Sequence, residues 1–203
     1  MNNAEIVLDG DSLTIEQVIS VSNFNTKVRL SESSISAIID SRNLVDDIVS
    51  SGEVVYGINT GFGALSNVTI PNDKLEDLQS NLIRSHACGL GEKMDPNSVL
   101  MMMIVRANSL AKGYSGARLE LIQLLVEMIN NRIVPIVPRI GSLGASGDLA
   151  PLSHMALAMM GESNSQVQTS DGEWITHNSN DALESFGLKP IKLQAKEGLS
   201  LIN

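Results

Sequence analysis

The sequence predicts a mainly α-helical fold with a few short strands and one small hairpin. The 203-residue chain is 43% hydrophobic but only 3% aromatic. Its core must therefore be built from Leu, Ile, Val, Ala and nine Met, a set of side chains that favours helices. Several segments also repeat apolar residues at the three- and four-residue spacing of a helix. The length suits one large domain or two small ones.

Apolar spacing, with capping residues at the ends, marks six helices. They are expected over residues 14–21, 31–51, 72–88, 95–112, 115–130 and 148–160. The strongest start is Asp95-Pro96, because aspartate caps a helix and proline suits its first turn. Ser115 is expected to cap the fifth helix. Residues 101–105 of the fourth helix are apolar all round, which predicts a buried helix.

Strands are expected where short apolar runs end in turn residues. Residues 6–8 form one, and residues 54–56 form another that enters a glycine-rich loop ending at Gly63. Prolines force residues 134–138 to be extended. A small surface hairpin is expected, with residues 166–169 and 173–176 as its strands and Ser170-Asp171-Gly172 as its turn.

Charge and composition exclude several classes of function. The net charge of −9 and the pI near 4.7 argue against nucleic acid or an anionic membrane as partner. The longest apolar run is too short to span a bilayer, and no signal peptide is visible. The single Cys88 fits a reducing compartment, so a cytoplasmic location is expected. No metal-site spacing and no phosphate-binding loop is found, so no metal or nucleotide cofactor is expected.

The most informative segment runs from Gly141 to His154 and contains Ala145-Ser146-Gly147. The amide nitrogen of Gly147 can attack the carbonyl carbon of Ala145. Loss of two waters, one of them from the Ser146 side chain, would leave a methylidene-imidazolone, an electrophile that no unmodified side chain supplies. A plain turn or an anion site at a helix N-terminus is the competing interpretation of a glycine-rich segment before a helix.

The flanking residues favour the cyclisation. Gly141 and Gly144 permit backbone conformations closed to other residues, and Gly147 has no Cβ to block its nitrogen. Pro151 falls in the first turn of the next helix, where a missing N–H costs nothing. The sequence therefore predicts a tight turn held between rigid flanks, as a backbone cyclisation would need.

Other candidate groups have structural alternatives. Tyr56 could project into a site from its strand end and act as a base if positive charge or hydrogen-bond donors lie nearby, but the local sequence alone favours a half-buried structural tyrosine. A structural or C-capping role is the default expectation for His86, which lies near the end of its predicted helix. His154 is expected to pack or cap, and His177 to be exposed. Three cations are taken as helix-surface or interface charges: Arg106, Lys112 and Arg118.

Four stretches together carry a family resemblance. Residues 56–63, 81–87, 141–154 and 193–203 resemble the aromatic amino acid lyases, and the likeness covers essentially the whole chain. The resemblance implies that residues 1–203 form the helical, N-terminal, loop-bearing part of an ammonia-lyase-type fold. It also implies that Ala145, Ser146 and Gly147 become the 4-methylidene-imidazol-5-one prosthetic group, with Asp148 assisting maturation or holding the loop.

The same resemblance assigns roles at the substrate. Tyr56 would be the base or proton relay, His86 would contact the substrate, and Asn203 would match an asparagine near the prosthetic group. The pair Ser85-His86 points to histidine among the amino acid substrates of the family. The implied reaction is elimination of ammonia from L-histidine to give urocanate.

Alternatives remain open. The chain could belong to a tyrosine or phenylalanine ammonia-lyase or to a 2,3-aminomutase of the same family, or be a non-catalytic, truncated assembly fragment. Complete family members are more than twice this length and assemble as tetramers. The chain also stops within an apolar segment. We therefore expect a truncated chain that is inactive alone, in a protein that forms homo-oligomers.

Overall fold

The computed structural model describes residues 5–144 and 147–203. Within these ranges the chain forms eight α-helices: α1 (Ile15–Phe24), α2 (Glu32–Ser51), α3 (Leu75–His86), α4 (Pro96–Ala111), α5 (Leu119–Asn130), α6 (Leu149–Met159), α7 (Ser179–Glu184) and α8 (Glu197–Ile202). Seven short strands accompany them: β1 (Ile6–Leu8), β2 (Val28–Leu30), β3 (Leu90–Lys93), β4 (Ile133–Pro135), β5 (Pro138–Ile140), β6 (Asn164–Gln168) and β7 (Trp174–Asn178). The prediction of a mainly helical fold is confirmed.

The strands form three small sheets. β1 pairs in parallel with β2, and β3 pairs antiparallel with β5. β4, β6 and β7 form an antiparallel sheet in which Val167 lies opposite Ile175, so the predicted hairpin is confirmed. His177 lies exposed on β7, as expected. β2, β3 and β5 were not predicted as strands, because none of them contains an apolar run like that of β1: their sequences are VRL, LGEK and PRI.

Capping residues set the helix ends where the sequence indicates. The Thr14 hydroxyl accepts from the Gln17 backbone amide at 3.3 Å, and the Gln17 side-chain oxygen accepts from the Thr14 backbone amide at 2.9 Å. These two bonds form a capping box before α1. The Asp95 carboxylate accepts from the Ser98 amide at 3.1 Å, with proline at the first position of α4. Gly52 ends α2 with φ of 74°, a conformation that glycine adopts at no steric cost.

The predicted start of α5 at Ser115 is wrong, because this helix begins at Leu119. Gly116 adopts φ of 68°, and its amide donates to Ser41 Oγ on α2 at 2.9 Å. The Ser115 carbonyl accepts from Ser200 Oγ on α8 at 2.6 Å. Residues 115–116 therefore use their backbone to join neighbouring helices instead of starting one.

The core surrounds α4 and α5 and consists of aliphatic side chains and methionine, as the composition predicts. Met103 and Ile104 of α4 and Met128 of α5 are fully buried. The expectation that α4 is buried on all sides is wrong. Val105 is 55% exposed and Met101 is half-buried, because this side of the helix faces a groove. Among the described residues, no helix is long and apolar enough to cross a bilayer.

Candidate active site

A groove of about 480 Å³ lies between α4 and the N-terminal end of α6. One wall is supplied by α4, and the other by the residues around the start of α6 and by Asn203. The complete lining is Met101, Met102, Val105, Arg106, Ser109, Gly147, Asp148, Leu152 and Asn203. Three residues that the sequence placed in one site, Gly147, Asp148 and Asn203, therefore meet in this groove.

The Gly141 loop, defined as residues 141–148, contains the predicted reactive tripeptide. Ala145 and Ser146 lie outside the described residues, but the residues on both sides are described. A Cβ added to Gly144 would lie 3.4 Å from the Gly147 carbonyl oxygen, so the two flanks approach closely. The Ser142 hydroxyl donates to the Asp148 carboxylate across the loop. Gly147 has φ of 115°, a conformation that other residues rarely adopt.

The base of the Gly141 loop packs on the segment that follows α3. A Cβ on Gly141 would lie 3.0 Å from the Gly89 Cα, closer than an ordinary Cβ contact, so the two backbones approach each other closely here. The Gly89 amide in turn donates to His154 Nε2 on α6 at 3.1 Å. That bond requires an unprotonated Nε2, in agreement with burial, which lowers the pKa of His154. The expectation that His154 packs or caps is confirmed.

His86 lies at the end of α3, three residues before Gly89. Its Nδ1 lies 2.8 Å from the Leu82 carbonyl oxygen and 3.1 Å from Ser85 Oγ. A carbonyl oxygen only accepts, so this network assigns a proton to Nδ1. Ser85 Oγ also donates to the Leu82 carbonyl at 2.9 Å. The ring is thereby oriented through Nδ1, and Nε2 remains for another partner.

The Tyr56 loop, defined as residues 54–63, differs from the prediction. The expected strand at residues 54–56 is wrong, because the chain turns at Tyr56. The buried Asn59 side chain accepts from the Val55 amide at 2.9 Å and donates to the Glu53 carbonyl at 2.7 Å, replacing the bonds of a strand. Tyr56 is 60% exposed and lies edge-on to Phe62, outside the residues that line the groove.

The short helix α8 lies at the centre of all these segments. A Cβ on Gly57 would lie 2.9 Å from Leu199 Cδ2, which places the Tyr56 loop against α8. The Gly198 amide donates to Gln79 Oε1 of α3 at 2.9 Å. A Cβ on Gly147 would lie 3.6 Å from the Asn203 Cα. The structure therefore places the Tyr56 loop, α3 and the Gly141 loop around α8, which belongs to the fourth predicted segment, although Tyr56 and His86 do not line the groove itself.

Arg106 was misassigned as a surface or interface charge. It lines the groove, and its Nη2 donates to the Asn203 carbonyl at 3.0 Å. Burial lowers the pKa of this guanidinium. The available signal was a cation directly after the apolar run 101–105, a position that a buried face would not tolerate without a partner. Lys112, by contrast, pairs with Asp11 at the surface, as expected.

Arg118 is also not a surface charge. It forms a fork with Glu197, whose side chain is fully buried, through Nε and Nη2 at 2.8 Å each. This contact raises the pKa of Arg118, chiefly through the hydrogen bond. The two residues are 79 positions apart, so no local sequence signal could have indicated the pair.

The helical fold and the groove beside a glycine-rich loop are features of a class of protein, and comparison with known proteins identifies that class. Residues 13–203 match the aromatic amino acid lyase family. Because this match covers most of the chain, the chain belongs to the aromatic amino acid lyase family.

Named relatives and solved structures agree with this assignment. The chain is 49% identical over 198 residues to a histidine ammonia-lyase of Macrococcus caseolyticus, covering 98% of this chain and 39% of the relative. The histidine ammonia-lyase structure from Trypanosoma cruzi matches with a TM-score of 0.86 and 40% identity, over 98% of this chain and 37% of that one. An ergothioneine-degrading enzyme from Treponema denticola matches with a TM-score of 0.90 and 32% identity, over 98% and 39%. The chain thus spans about two fifths of the length of these proteins.

Proposed function

We propose that this chain supplies the electrophile-bearing part of an ammonia-lyase that eliminates ammonia from L-histidine to give urocanate. Family membership supports a carbon–nitrogen lyase, and the names of the relatives support histidine as the substrate. The observation that carries the proposal is the meeting of Gly147, Asp148 and Asn203 in one groove. These residues come from two segments that the sequence separately assigned to the same site.

We propose further that Ala145, Ser146 and Gly147 form a 4-methylidene-imidazol-5-one. The described flanks fit this group, because Gly144 approaches Gly147 closely and Gly147 adopts a positive φ without a Cβ that would hinder its nitrogen. Once formed, the group supplies an electrophilic methylidene carbon. The Asp148 carboxylate accepts from Ser142 and would hold the two flanks in place during ring closure.

Two features would stabilise negative charge beside Gly147. Helix α6 begins at Leu149, directly after the groove-lining Asp148, and a helix N-terminus carries a partial positive charge. The Arg106 guanidinium lines the same groove and fixes the Asn203 carbonyl. Fixed donors of this kind lower the energy of charge that develops during a reaction.

Substrate choice would depend on His86, with Ser85 as its support. Because Nδ1 is engaged by the Leu82 carbonyl and Ser85 Oγ, Nε2 is the ring atom that can bond to a substrate. An imidazole side chain offers both a donor and an acceptor to that atom, whereas a phenyl ring offers neither.

Tyr56 would be the base or proton relay, since its exposed phenol lies in a loop packed against α8.

We also propose a cytoplasmic homotetramer. The support is family membership and the exposed apolar surface along α1 and α4, where Ile15 is 75% and Val105 is 55% exposed. Exposed apolar patches of this kind mark interaction surfaces. Light scattering of a chimera, in which this chain replaces the matching portion of the Macrococcus caseolyticus histidine ammonia-lyase, tests the assembly.

A chimera tests the activity. This chain would replace the matching portion of the Macrococcus caseolyticus histidine ammonia-lyase, and products from histidine, tyrosine and phenylalanine would be measured. We expect urocanate from histidine and much weaker turnover of the other two. A His86→Leu chimera should lose histidine turnover by about tenfold or more, through loss of a polar contact to the substrate. Preferred formation of a tyrosine or phenylalanine product, or of a β-amino acid, would contradict the proposal.

The 203-residue chain alone serves as the negative control. It spans about two fifths of the relatives, and we expect it to produce no urocanate. Turnover of histidine by this chain alone would show that the residues described here are sufficient for the reaction.

A further inference from the structure

Glu197 is a fully buried carboxylate that the proposed reaction does not use. It accepts four hydrogen bonds: from the Arg118 amide at 2.9 Å, from Arg118 Nε and Nη2 at 2.8 Å each, and from the Gln194 amide at 2.7 Å. Its exposure is 0%. Among residues 5–144 and 147–203, no other carboxylate is buried to this degree. The buried charge is therefore paired with a guanidinium and hydrogen-bonded at both carboxylate oxygens.

Stability alone does not account for such a pair. Removing two charges from water is costly, and apolar residues of similar volume are often as stabilising. The fork adds geometric specificity, because two parallel bonds from a planar guanidinium fix the position and the angle of the carboxylate. Glu197 is the first residue of α8, so the fork fixes the point at which α8 begins.

Other contacts fix the same end of the helix. Lys196, directly before α8, has φ of 72°, a left-handed conformation that a non-glycine residue keeps only where its surroundings require it. A Cβ on Gly198 would lie 2.9 Å from the Gln79 carbonyl oxygen, so the start of α8 lies directly against α3. A shift of α8 along its axis would disrupt the fork and this contact together.

We propose that Arg118 and Glu197 are a positioning pair that fixes the register of α8 and thereby holds Asn203 against Gly147. The helix of six residues is about 9 Å long, so its fixed start determines where its last turn ends. Asn203 follows that turn, with its Cα 3.6 Å from a Cβ built on Gly147. The inference deepens the proposed function and rests on it, because the position of Asn203 matters only if Gly147 belongs to the reactive group.

The test compares two double variants of the 203-residue chain. In the first, Arg118→Met is combined with Glu197→Leu, which removes the fork but fills its space with apolar atoms. In the control, Arg29→Met is combined with Glu5→Leu, which removes an exposed ion pair between β2 and the residue before β1. Three quantities are measured for each variant: the melting temperature, amide hydrogen exchange of residues 197–203, and the intact mass, which reports loss of two waters from residues 145–147.

We expect the apolar variant to melt within about 5 °C of the parent, yet to exchange the amides of residues 197–203 at least about tenfold faster and to lose the two waters more slowly. The control should match the parent in all three measurements. Parent-like exchange and parent-like maturation in the folded apolar variant would overturn the proposal, since a merely stabilising pair behaves in that way.

A second variant keeps the test decisive if the apolar variant fails to fold. Arg118→Lys retains the charge in a side chain that is 23% exposed but removes the planar fork. We expect it to remain folded with faster exchange of residues 197–203, and parent-like exchange would overturn the proposal. If the parent chain itself never loses two waters, the proposed function fails, while the exchange measurement still decides whether the pair fixes α8.

Discussion

The Tyr56 loop and the Gly141 loop are both rich in glycine, and they are held in different ways. Side chains hold the Tyr56 loop, chiefly the buried Asn59 and Thr60, whose polar atoms bond to the loop backbone. The base of the Gly141 loop is held by close backbone approach, since a Cβ on Gly141 would lie only 3.0 Å from the Gly89 Cα. The Tyr56 loop has open space for a methyl group at Gly63, although at Gly61 a Cβ would lie 2.7 Å from the Leu65 carbonyl oxygen. The base of the Gly141 loop has no such open space, and it is the Gly141 loop that borders the groove.

The largest effect is expected from Gly141→Ala. The new Cβ would lie 3.0 Å from the Gly89 Cα, at φ of 153°, and both obstacles are backbone. We expect a loss of stability of about 1–3 kcal/mol and no loss of water from residues 145–147, measured by urea unfolding and intact mass. Gly63→Ala in the Tyr56 loop is the matched control, because its φ is also positive, at 55°, but nothing lies within 4 Å. Equal behaviour of the two variants would contradict the comparison.

A smaller effect, on stability alone, is expected from Asn59→Ala. The change leaves the Val55 amide and the Glu53 carbonyl without their partner, which costs about 1–3 kcal/mol for groups kept from water. Urea unfolding measures the loss, and the intact mass should still show maturation because the Gly141 loop is untouched. Asn72→Ala, which removes an exposed contact to Val49 at 3.4 Å, should change stability little. Blocked maturation in Asn59→Ala would show that the two loops are coupled.

The smallest effect concerns pH. Burial lowers the pKa of His154 below its usual 6.5 in the folded chain. As the pH falls from about 7 to about 5, the unfolded chain takes up a proton that the folded chain resists, so the free energy of unfolding decreases. His154→Gln offers an acceptor to the Gly89 amide without titrating, and the decrease should become shallower. A pH dependence in His154→Gln as steep as that of the parent would contradict this account.

Local features of the fold could be predicted from the sequence. The Asp95-Pro96 start and the Gly52 end appear as expected, because caps depend on residues within one turn. The strand expected at residues 54–56 failed, since the Asn59 side chain takes the backbone bonds that a neighbouring strand would have made. The hydrophobic pattern of a sequence contains no information on such bonds between a side chain and the backbone.

In the candidate site, too, features carried by a local motif could be predicted, whereas contacts between distant residues could not. The Gly141 loop was predicted from a contiguous motif and Asn203 from the family resemblance, and the structure brings Gly147 and Asn203 together in one groove. The partners that fix them were missed. Arg106 and Glu197 act through contacts 97 and 79 residues away in the chain, and only the folded arrangement of α4, α5 and α8 brings these partners together.

The proposed formation of an electrophile by this chain itself is measured most directly by the intact mass. The purified 203-residue chain of 21.7 kDa should be lighter than its sequence by two waters, about 36 Da. Peptide mapping should place the whole loss within residues 145–147. Ser146→Ala should not lose the second water, because it has no side-chain hydroxyl to eliminate. A parent chain at its full sequence mass, with no absorbance above the protein band, would contradict the account.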